Sequence, residues 1–486
     1  MSEADDRRAK LERLRAQGID PFPHEFEGVV ATSSVVDDLE PGEETDRSYR
    51  VAGRMVARRD QGGAAFIDLV DRTGKLQLHA KKDVLGDESF DRLVSLDLGD
   101  LIGVDGTAFK TRRGQLSLLV TDWKLLAKSL RSVPKEYYGV EDVETRYRHR
   151  EVDLLANEET RELFILRSKV VRACRNWLDE RGFLEVETPV LQPLYGGALA
   201  RPFVTHHNAL DRDFFLRISP ETYLKRVIAG SFDRVYELGR NFRNEGIDSS
   251  HLQEFTMLEW YVAYWDYRDN MAFTQQLVQT ILQDVCGSTT VTYQGVELDF
   301  GGDWPVIDYR DAVREATGID LAAVRDVDEL KVAIKAAGLG DDLDDTVSYA
   351  ALVDLLYKRT VRPGLIQPCF LVHHPAELVP LARRSDDDGT RLDMFQVVVN
   401  GWEIVKAYSE LIDPFEQKAR LLEQVELRAA GDDETMMMED DFIEAMEYGM
   451  PPMSGLGLGI DRFVALLTDA PTLRDVVLFP QMRDDG

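Results

Sequence analysis

The stretch RNFRNEGIDSSHLQEFTMLEWY, residues 240–261, decides the fold of the larger part of the chain. β-Branched and aromatic residues at 233–238 and 254–264 flank turn-forming residues at 245–250, so the pattern predicts an antiparallel hairpin. This hairpin would aim Arg243, Glu245, His251 and Phe255 at one cleft. A guanidinium binds phosphate, a carboxylate accepts from a purine amine, and an aromatic ring stacks on a base. A plain surface hairpin with Arg–Glu ion pairs is the simpler alternative.

A second stretch, GLGLGIDRFVALLTD at residues 455–469, complements the hairpin. Here a glycine-rich run leads into a predicted helix that opens at Asp461 and Arg462. Glycines let a backbone approach a ligand closely, and a helix N-terminus favours anions. The glycine run alone is a weak signal, but together with the hairpin it indicates a nucleotide site.

These two stretches resemble motifs 2 and 3 of class II aminoacyl-tRNA synthetases. Four further segments make the chain similar to the bacterial-type lysyl-tRNA synthetase family: SPETYLKR (219–226), FRNEG (242–246), EFTMLE (254–259) and AYSEL (407–411). The resemblance runs from about residue 8 to residue 482. Residues 160–181, with apolar side chains at helical spacing, and the strand-like segment 183–190 resemble motif 1, which forms the dimer interface in the class. The resemblance therefore implies a homodimer.

Composition sets further limits. A chain of 486 residues is too long for one ordinary core, so we expect two or three domains. The net charge of −30 argues against a nucleic-acid partner only as an average, because residues 50–135 contain 16 Lys and Arg against 11 Asp and Glu. There is no apolar run of membrane-spanning length, the N-terminus is charged, and the three cysteines match no metal spacing. We expect a cytoplasmic protein without a membrane partner.

The first third of the chain alternates short strands and turns, at residues 49–58, 64–71, 76–80, 101–110 and 116–126. Five such strands predict an OB-type barrel, which binds single-stranded nucleic acid by base stacking over a basic groove. Arg58 would supply charge. The resemblance implies that Phe66 and Gln77 read the central anticodon uridine of tRNA(Lys), whereas a core role for Phe66 is the alternative.

The expected fold class is therefore multidomain α+β, with an N-terminal OB-type β-barrel followed by a class II synthetase antiparallel sheet flanked by helices. We expect an N-terminal helix and lead-in at 1–48, an anticodon-binding barrel at 49–128 and a linker at 129–150. The catalytic domain would cover 151–486, with a helical flank around 310–360.

The resemblance implies ATP-dependent activation of L-lysine to lysyl-adenylate and transfer to the 3′ end of tRNA(Lys). Arg243 and Arg462 would be catalytic. The remaining implied ligands fall into two groups: Glu245, His251, Phe255 and Glu403 for ATP, and Gly197, Glu221, Tyr261, Tyr408 and Glu410 for lysine. Without the resemblance, the simpler interpretation of Glu221 is an acid that caps the start of a helix, and that of Glu410 is a surface acid at the end of a strand. A lysine ligase acting on another acceptor and a non-catalytic RNA-binding relative are alternatives.

Three positions depart from the family pattern. Gln396 replaces a metal-binding glutamate whose partner would be Glu403, Lys406 replaces an asparagine, and Ser250 replaces an arginine. An amide oxygen has no net charge and is a poorer Mg²⁺ ligand than a carboxylate. We therefore hypothesise an active enzyme that binds fewer Mg²⁺ ions tightly, with Lys406 either replacing a metal's charge or obstructing the pocket.

Overall fold

The protein, for which we obtained a computed structural model, is described over residues 3–132, 142–246, 248, 250–340, 348–429 and 435–483. The chain forms two compact units, Met1–Thr160 and Arg161–Gly486. Residues 133–141 of the predicted linker lie outside the described residues. Among the described residues, none of the helices is both long and apolar enough to cross a membrane.

The first unit is built around a closed five-stranded barrel. Its elements are α1 (Glu3–Ala16), a 3-10 helix (Thr32–Ser34), β1 (Glu44–Gln61), β2 (Ala64–Asp71), β3 (Gly74–Lys81), α2 (Lys82–Leu85), α3 (Asp87–Ser95), β4 (Leu101–Lys110), β5 (Leu116–Ala127), α4 (Val143–Arg148) and α5 (Arg150–Ala156). The barrel closes in the order β1-β2-β3-β5-β4. A bulge in β5 leaves Thr121 unpaired opposite Gly106 of β4, where a side chain would press on the carbonyl of Leu119. The predicted OB-type barrel is confirmed.

The rest of the chain forms a mixed α/β unit. Its elements are α6 (Glu158–Asp179), β6 (Leu184–Glu185), β7 (Leu191–Gln192), β8 (Val204–His207), β9 (Arg212–Leu216), α7 (Glu221–Ala229), β10 (Arg234–Phe242), β11 (Glu254–Ala263), α8 (Tyr267–Cys286), β12 (Thr290–Tyr293), β13 (Val296–Asp299), β14 (Val306–Asp308), α9 (Tyr309–Thr317), α10 (Val327–Ala336), α11 (Tyr349–Thr360), β15 (Cys369–Val372), β16 (Met394–Val399), β17 (Trp402–Ser409), α12 (Pro414–Ala429), α13 (Asp440–Glu447), β18 (Met453–Gly459) and α14 (Ile460–Leu467).

An eight-stranded sheet organises this second unit, in the order β14-β15-β16-β17-β18-β11-β10-β6. Its strands pair antiparallel except at the two edges, where β14 and β6 run parallel to their neighbours. Successive strand residues face opposite sides. Tyr236 and Leu258 therefore pack into the core formed with α6, α8 and α14, while Val235 and Tyr261 pack into the core formed with α7, α12 and α13. The predicted class II type of fold is confirmed.

One local prediction differs from the structure, and two gain detail from it. The glycine-rich run before Asp461 is a strand, β18, because it pairs with β11 on one side and β17 on the other. The strand expected at 183–190 shrinks to β6, since only residues 184 and 185 pair with β10. The helical flank at 310–360 divides into α9, α10 and α11, with residues 341–347 outside the described part.

Candidate functional site

The central strands of the large sheet form the wall of one cavity of about 260 Å³. Alternation along β11 turns Phe255, Met257, Glu259 and Tyr261 to this side, and Thr256 of the same strand also lines the cavity. Most residues predicted for ATP and lysine line the same cavity: Gly197, Glu221, Arg243, Glu245, His251, Phe255, Tyr261, Glu403, Tyr408 and Arg462. Ser250 and Lys406 line it too.

Glycines of β18 form the floor of the cavity. Gly455 lies opposite Tyr261 on β11 and Tyr408 on β17, and Gly459 lies opposite Met257. A methyl group on Gly455 would overlap the Tyr261 ring and the Glu410 carboxylate. The two glycines are four positions apart on the strand, which corresponds to about 13 Å, so the cavity has two ends. Arg462 lies beyond Gly459 at one end, and the two tyrosines lie at the other.

Buried charges cluster at the tyrosine end. The ammonium of Lys225 lies 2.6 Å from Oε1 of Glu221, one helical turn earlier on α7, and forms an ion pair with Glu410. Tyr408 donates its hydroxyl to Glu221 over 2.6 Å. Glu221 makes no helix cap, because both of these partners hold its carboxylate. Gly197 fits closely against it, since a methyl group there would lie 2.9 Å from Cβ of Glu221.

Glu410 does not line the cavity itself; its fully buried carboxylate lies on the side of Gly455 that the Tyr261 ring also faces. Within the described residues, neither of its carboxylate oxygens accepts a well-formed hydrogen bond. One ammonium thus serves two carboxylates. Burial raises the pKa of Glu410 well above its usual value, and the neighbouring Glu221 adds to the shift while Lys225 opposes it. Burial also raises the pKa of Glu259 to about 8, again with a contribution from Glu221.

The other end of the cavity carries guanidinium groups. Arg243 lies over the Phe255 ring, 5.0 Å from its centre. Its Nε atom is buried and has no hydrogen-bond partner among the described residues. Burial lowers the pKa of Arg243, an effect that Glu245 opposes and Arg462 reinforces. Arg462 donates to the backbone carbonyl of Glu403 over 2.9 Å. The site can therefore offer an aromatic face and positive charge to one ligand.

The loop between the hairpin strands holds His251 at the rim. Nδ1 of His251 lies 2.7 Å from a carboxylate oxygen of Asp248 and 3.1 Å from the hydroxyl of Ser250. Ile247 and Ser249 of this loop lie outside the described residues. Ser250 and His251 both line the cavity.

A further layer of contacts fixes the start of α14. The Asp461 carboxylate accepts the backbone N–H of Thr256 over 2.7 Å and pairs with Arg167 of α6 at 2.7 Å. Arg167 also donates to the Thr256 hydroxyl over 3.0 Å. Because Arg462 follows Asp461 directly, these bonds position its side chain at the cavity.

The residues expected to bind Mg²⁺ make a different contact. Gln396 and Lys406 lie opposite each other on β16 and β17, and the Gln396 amide donates to the Glu403 carboxylate. Among the described residues no three His, Cys, Asp or Glu side chains are grouped to hold a metal ion. The pair carries a single negative charge, and the amide presents its N–H rather than its oxygen to the carboxylate, so the pair does not fit a resident Mg²⁺ ion.

The barrel places two of its predicted nucleic-acid residues, Phe66 and Gln77, on one outer face. Phe66 alternates with the buried Ala65 and Ile67, so it is not part of the barrel core. Its ring stacks on His79 of the neighbouring strand at 4.3 Å, and Gln77 accepts the Ser117 hydroxyl over 3.0 Å. The structure places Arg58 apart from this stack, with its guanidinium donating to the Leu96 carbonyl over 2.7 Å.

Several residues of the two surfaces were not singled out by the sequence. Lys225, Glu259 and Ser219 belong to the buried charged cluster, and His79 belongs to the aromatic face of the barrel. Strand alternation from Phe255 could have found Glu259, and the spacing of four residues from Glu221 could have found Lys225. Nothing local marks Ser219 or His79.

Comparison with known proteins agrees with this geometry. Residues 142–483 match the family described as tRNA synthetases class II (D, K and N), and residues 49–126 match the OB-fold nucleic acid binding domain. The chain therefore belongs to the class II tRNA synthetases.

A lysine–tRNA ligase from Pelotomaculum thermopropionicum is 47% identical over 98% of this chain and 94% of its own length. Lysine–tRNA ligases from Carboxydothermus hydrogenoformans (45%) and Bacillus anthracis (44%) each cover 98% of this chain and 96% of their own. Within the class, the chain belongs to the lysine–tRNA ligase family. The two alternative functions gain no support from these relatives.

Proposed function

We propose that this protein activates L-lysine with ATP and transfers the lysyl group to the 3′ end of tRNA(Lys). The observation that carries the proposal is a single glycine-floored cavity with guanidinium groups at one end and buried carboxylates at the other. Such a cavity suits a nucleotide and a cationic amino acid that must react with each other. A lysine carboxylate oxygen attacks the α-phosphorus, and pyrophosphate leaves with the electron pair of the broken P–O bond.

The carboxylate end supports the choice of lysine. An aliphatic chain ending in an ammonium fits between Tyr261 and Tyr408, above Gly455. Glu410 would accept the ε-ammonium and Glu221 the α-ammonium, with Gly197 beside it. Because Lys225 already neutralises one of these two acids, one negative charge is left for the substrate. An uncharged isostere would leave that charge buried and unpaired, which is costly.

The guanidinium end supports the choice of ATP. Arg243 would hold the α-phosphate, and Phe255 and Arg462 would hold the adenine between them. Glu245 and His251 would orient the nucleotide. No covalent enzyme intermediate is needed, so catalysis rests on positioning and on the charge that meets the phosphates. Mg²⁺ would enter as the complex with ATP, and the contact between Gln396 and Glu403 argues against a resident ion.

The barrel supports tRNA as the acceptor. Phe66 would stack on the central anticodon uridine and Gln77 would hydrogen-bond its edge, with Arg58 nearby in sequence as a source of charge. The exposed apolar side chains of Leu184, Val190 and Leu191 in the motif 1 segment support a homodimer. We place the reaction in the cytoplasm, with no membrane partner.

The experiment is ATP–pyrophosphate exchange with each of the amino acids, followed by charging of tRNA(Lys) transcripts. We expect exchange with lysine alone, and charging that falls when cytidine replaces the central anticodon uridine. Arg243→Ala removes exchange, whereas Arg240→Ala three positions earlier, a half-exposed residue paired with Glu254, serves as the matched control. Exchange with another amino acid, or with none, contradicts the proposal.

A further inference from the structure

Lys406 lines the cavity, and its ammonium has no ionic or hydrogen-bond partner among the described residues. Its strand neighbours are Gln396 on β16 and Gly457 on β18. Gly457 has no side chain to cover the ammonium, so Lys406 is free to meet a ligand that enters over the glycine floor.

Glu403, three positions earlier than Lys406 on β17, is already occupied. The Glu403 carboxylate accepts the Gln396 amide, and its backbone carbonyl accepts Arg462 over 2.9 Å. His374 adds no positive charge there, because burial, together with the nearby Lys406, lowers the pKa of its imidazole to about 3. Among Gln396, His374 and Lys406, it is therefore Lys406 that supplies positive charge to the cavity.

The charges at positions 396 and 406 can be compared with the charge of a bound metal ion. Relative to the family pattern, Gln396 removes one negative charge and Lys406 adds one positive charge. The two changes together equal the charge of one Mg²⁺ ion. The contact between Gln396 and Glu403 explains why the ion's own ligands are missing: the remaining carboxylate is held by an amide donor.

We propose that Lys406 is a catalytic residue that contacts the β- and γ-phosphates of ATP and stabilises the charge of the leaving pyrophosphate in place of a protein-bound metal ion. The inference rests on the proposed use of ATP. In the step, the lysine carboxylate forms a bond to the α-phosphorus while the bond to the bridging oxygen breaks. The electron pair moves onto pyrophosphate, where the ammonium of Lys406 meets it, and no proton needs to be transferred.

A nucleotide-binding experiment with the full chain tests this without turnover. Affinities for ATP and for AMP are measured by calorimetry in EDTA, for the wild type and for Lys406→Met. We expect about tenfold weaker ATP binding in the variant, the size of one contact between an ammonium and a phosphate, and unchanged AMP binding. Lys406→Arg retains the cation and keeps most of the affinity. Lys418→Met, an exposed lysine of α12, is the matched control.

A second measurement counts metal ions. Mn²⁺ bound per protein is determined by electron paramagnetic resonance with lysine and a non-hydrolysable ATP analogue. We expect one ion per nucleotide in the wild type and more than one in the double variant Gln396→Glu, Lys406→Asn. Two or more ions in the wild type overturn the inference, as does an equal loss of ATP and AMP affinity in Lys406→Met. Lack of lysine-dependent exchange overturns the proposed function instead, and is measured separately.

Discussion

The ammonium of Lys225 lies 2.6 Å from Oε1 of Glu221 although both side chains are buried. Burial alone would lower the pKa of Lys225, but the attraction of Glu221 and Glu410 outweighs it and raises the pKa. The lysine thus stays charged at the end of the cavity that would bind a second ammonium. Its charge makes it possible to keep two acids in one buried pocket.

Loss of the Lys225 charge should weaken lysine binding more than ATP binding. In Lys225→Met both carboxylates are left without their cation, so one of them takes up a proton and no longer attracts the substrate. We expect the KM for lysine to rise by about tenfold or more, with the KM for ATP unchanged. A lost buried partner also costs roughly 3–5 kcal/mol of stability, so thermal unfolding is recorded alongside. A folded variant with normal lysine KM contradicts the role.

Lysine binding should release a proton. Burial raises the pKa of the Glu410 carboxyl well above its usual value, and an arriving ammonium favours the charged form. We therefore expect lysine to lower this pKa, and its affinity to increase as pH rises through it. Calorimetry in buffers of different ionisation enthalpy measures the released proton directly. Glu410→Gln cannot release it, and its residual binding should be independent of pH; proton release by this variant would exclude Glu410 as the source.

A methyl group on the cavity floor should block the lysine end. Gly455→Ala overlaps the Tyr261 ring and the Glu410 carboxylate, and overpacking of this kind costs about 1–3 kcal/mol of stability. We expect lysine-dependent exchange to fall by about a hundredfold or more, since the methyl group displaces the ring and the carboxylate that would hold the substrate. Gly389→Ala, where a methyl group meets no other atom within 4 Å, is the matched control. Equal activity of the two variants would place lysine elsewhere.

Glu259 should make stability depend on pH. Its pKa is raised from 4.5 to about 8, so the folded state holds a proton that the unfolded state loses. The stabilisation is complete below pH 4.5 and is lost as pH rises through about 8. Glu259→Gln keeps a neutral side chain at all pH values. Its free energy of unfolding should therefore increase relative to that of the wild type across this range, by a few kcal/mol. Denaturant titrations at several pH values test the trend, and parallel pH profiles contradict it.

The barrel should affect charging and leave activation unchanged. Phe66→Ala removes a stacking face worth about 1–3 kcal/mol per base, so we expect kcat/KM for tRNA to fall by about tenfold or more. Lysine-dependent pyrophosphate exchange takes place without tRNA and should be unaffected. Val84→Ala, an exposed apolar residue of α2, is the control within the same unit. A parallel loss of exchange would point to general unfolding instead.

Local sequence determined the elements and much of the cavity wall. The period of two along β11 turns Phe255 and Tyr261 to the same side, and the same period puts Phe66 outside the barrel while Ile67 fills its core. These patterns depend only on neighbours along the chain, so they could be predicted without coordinates. Family resemblance then supplied the expected roles.

Tertiary structure alone decided which charges meet. Lys225 and Glu410 are 185 positions apart, and their pairing depends on how α7 packs against β10 and β11 of the sheet to which β17, just before Glu410, belongs. The glycines before Asp461 form a strand because two partner strands bind their backbone, which no local pattern of glycines reveals. The contact between Gln396 and Glu403 follows from strand register, including a bulge in the pairing. Packing and register join distant residues, and a linear pattern carries no information about those distances.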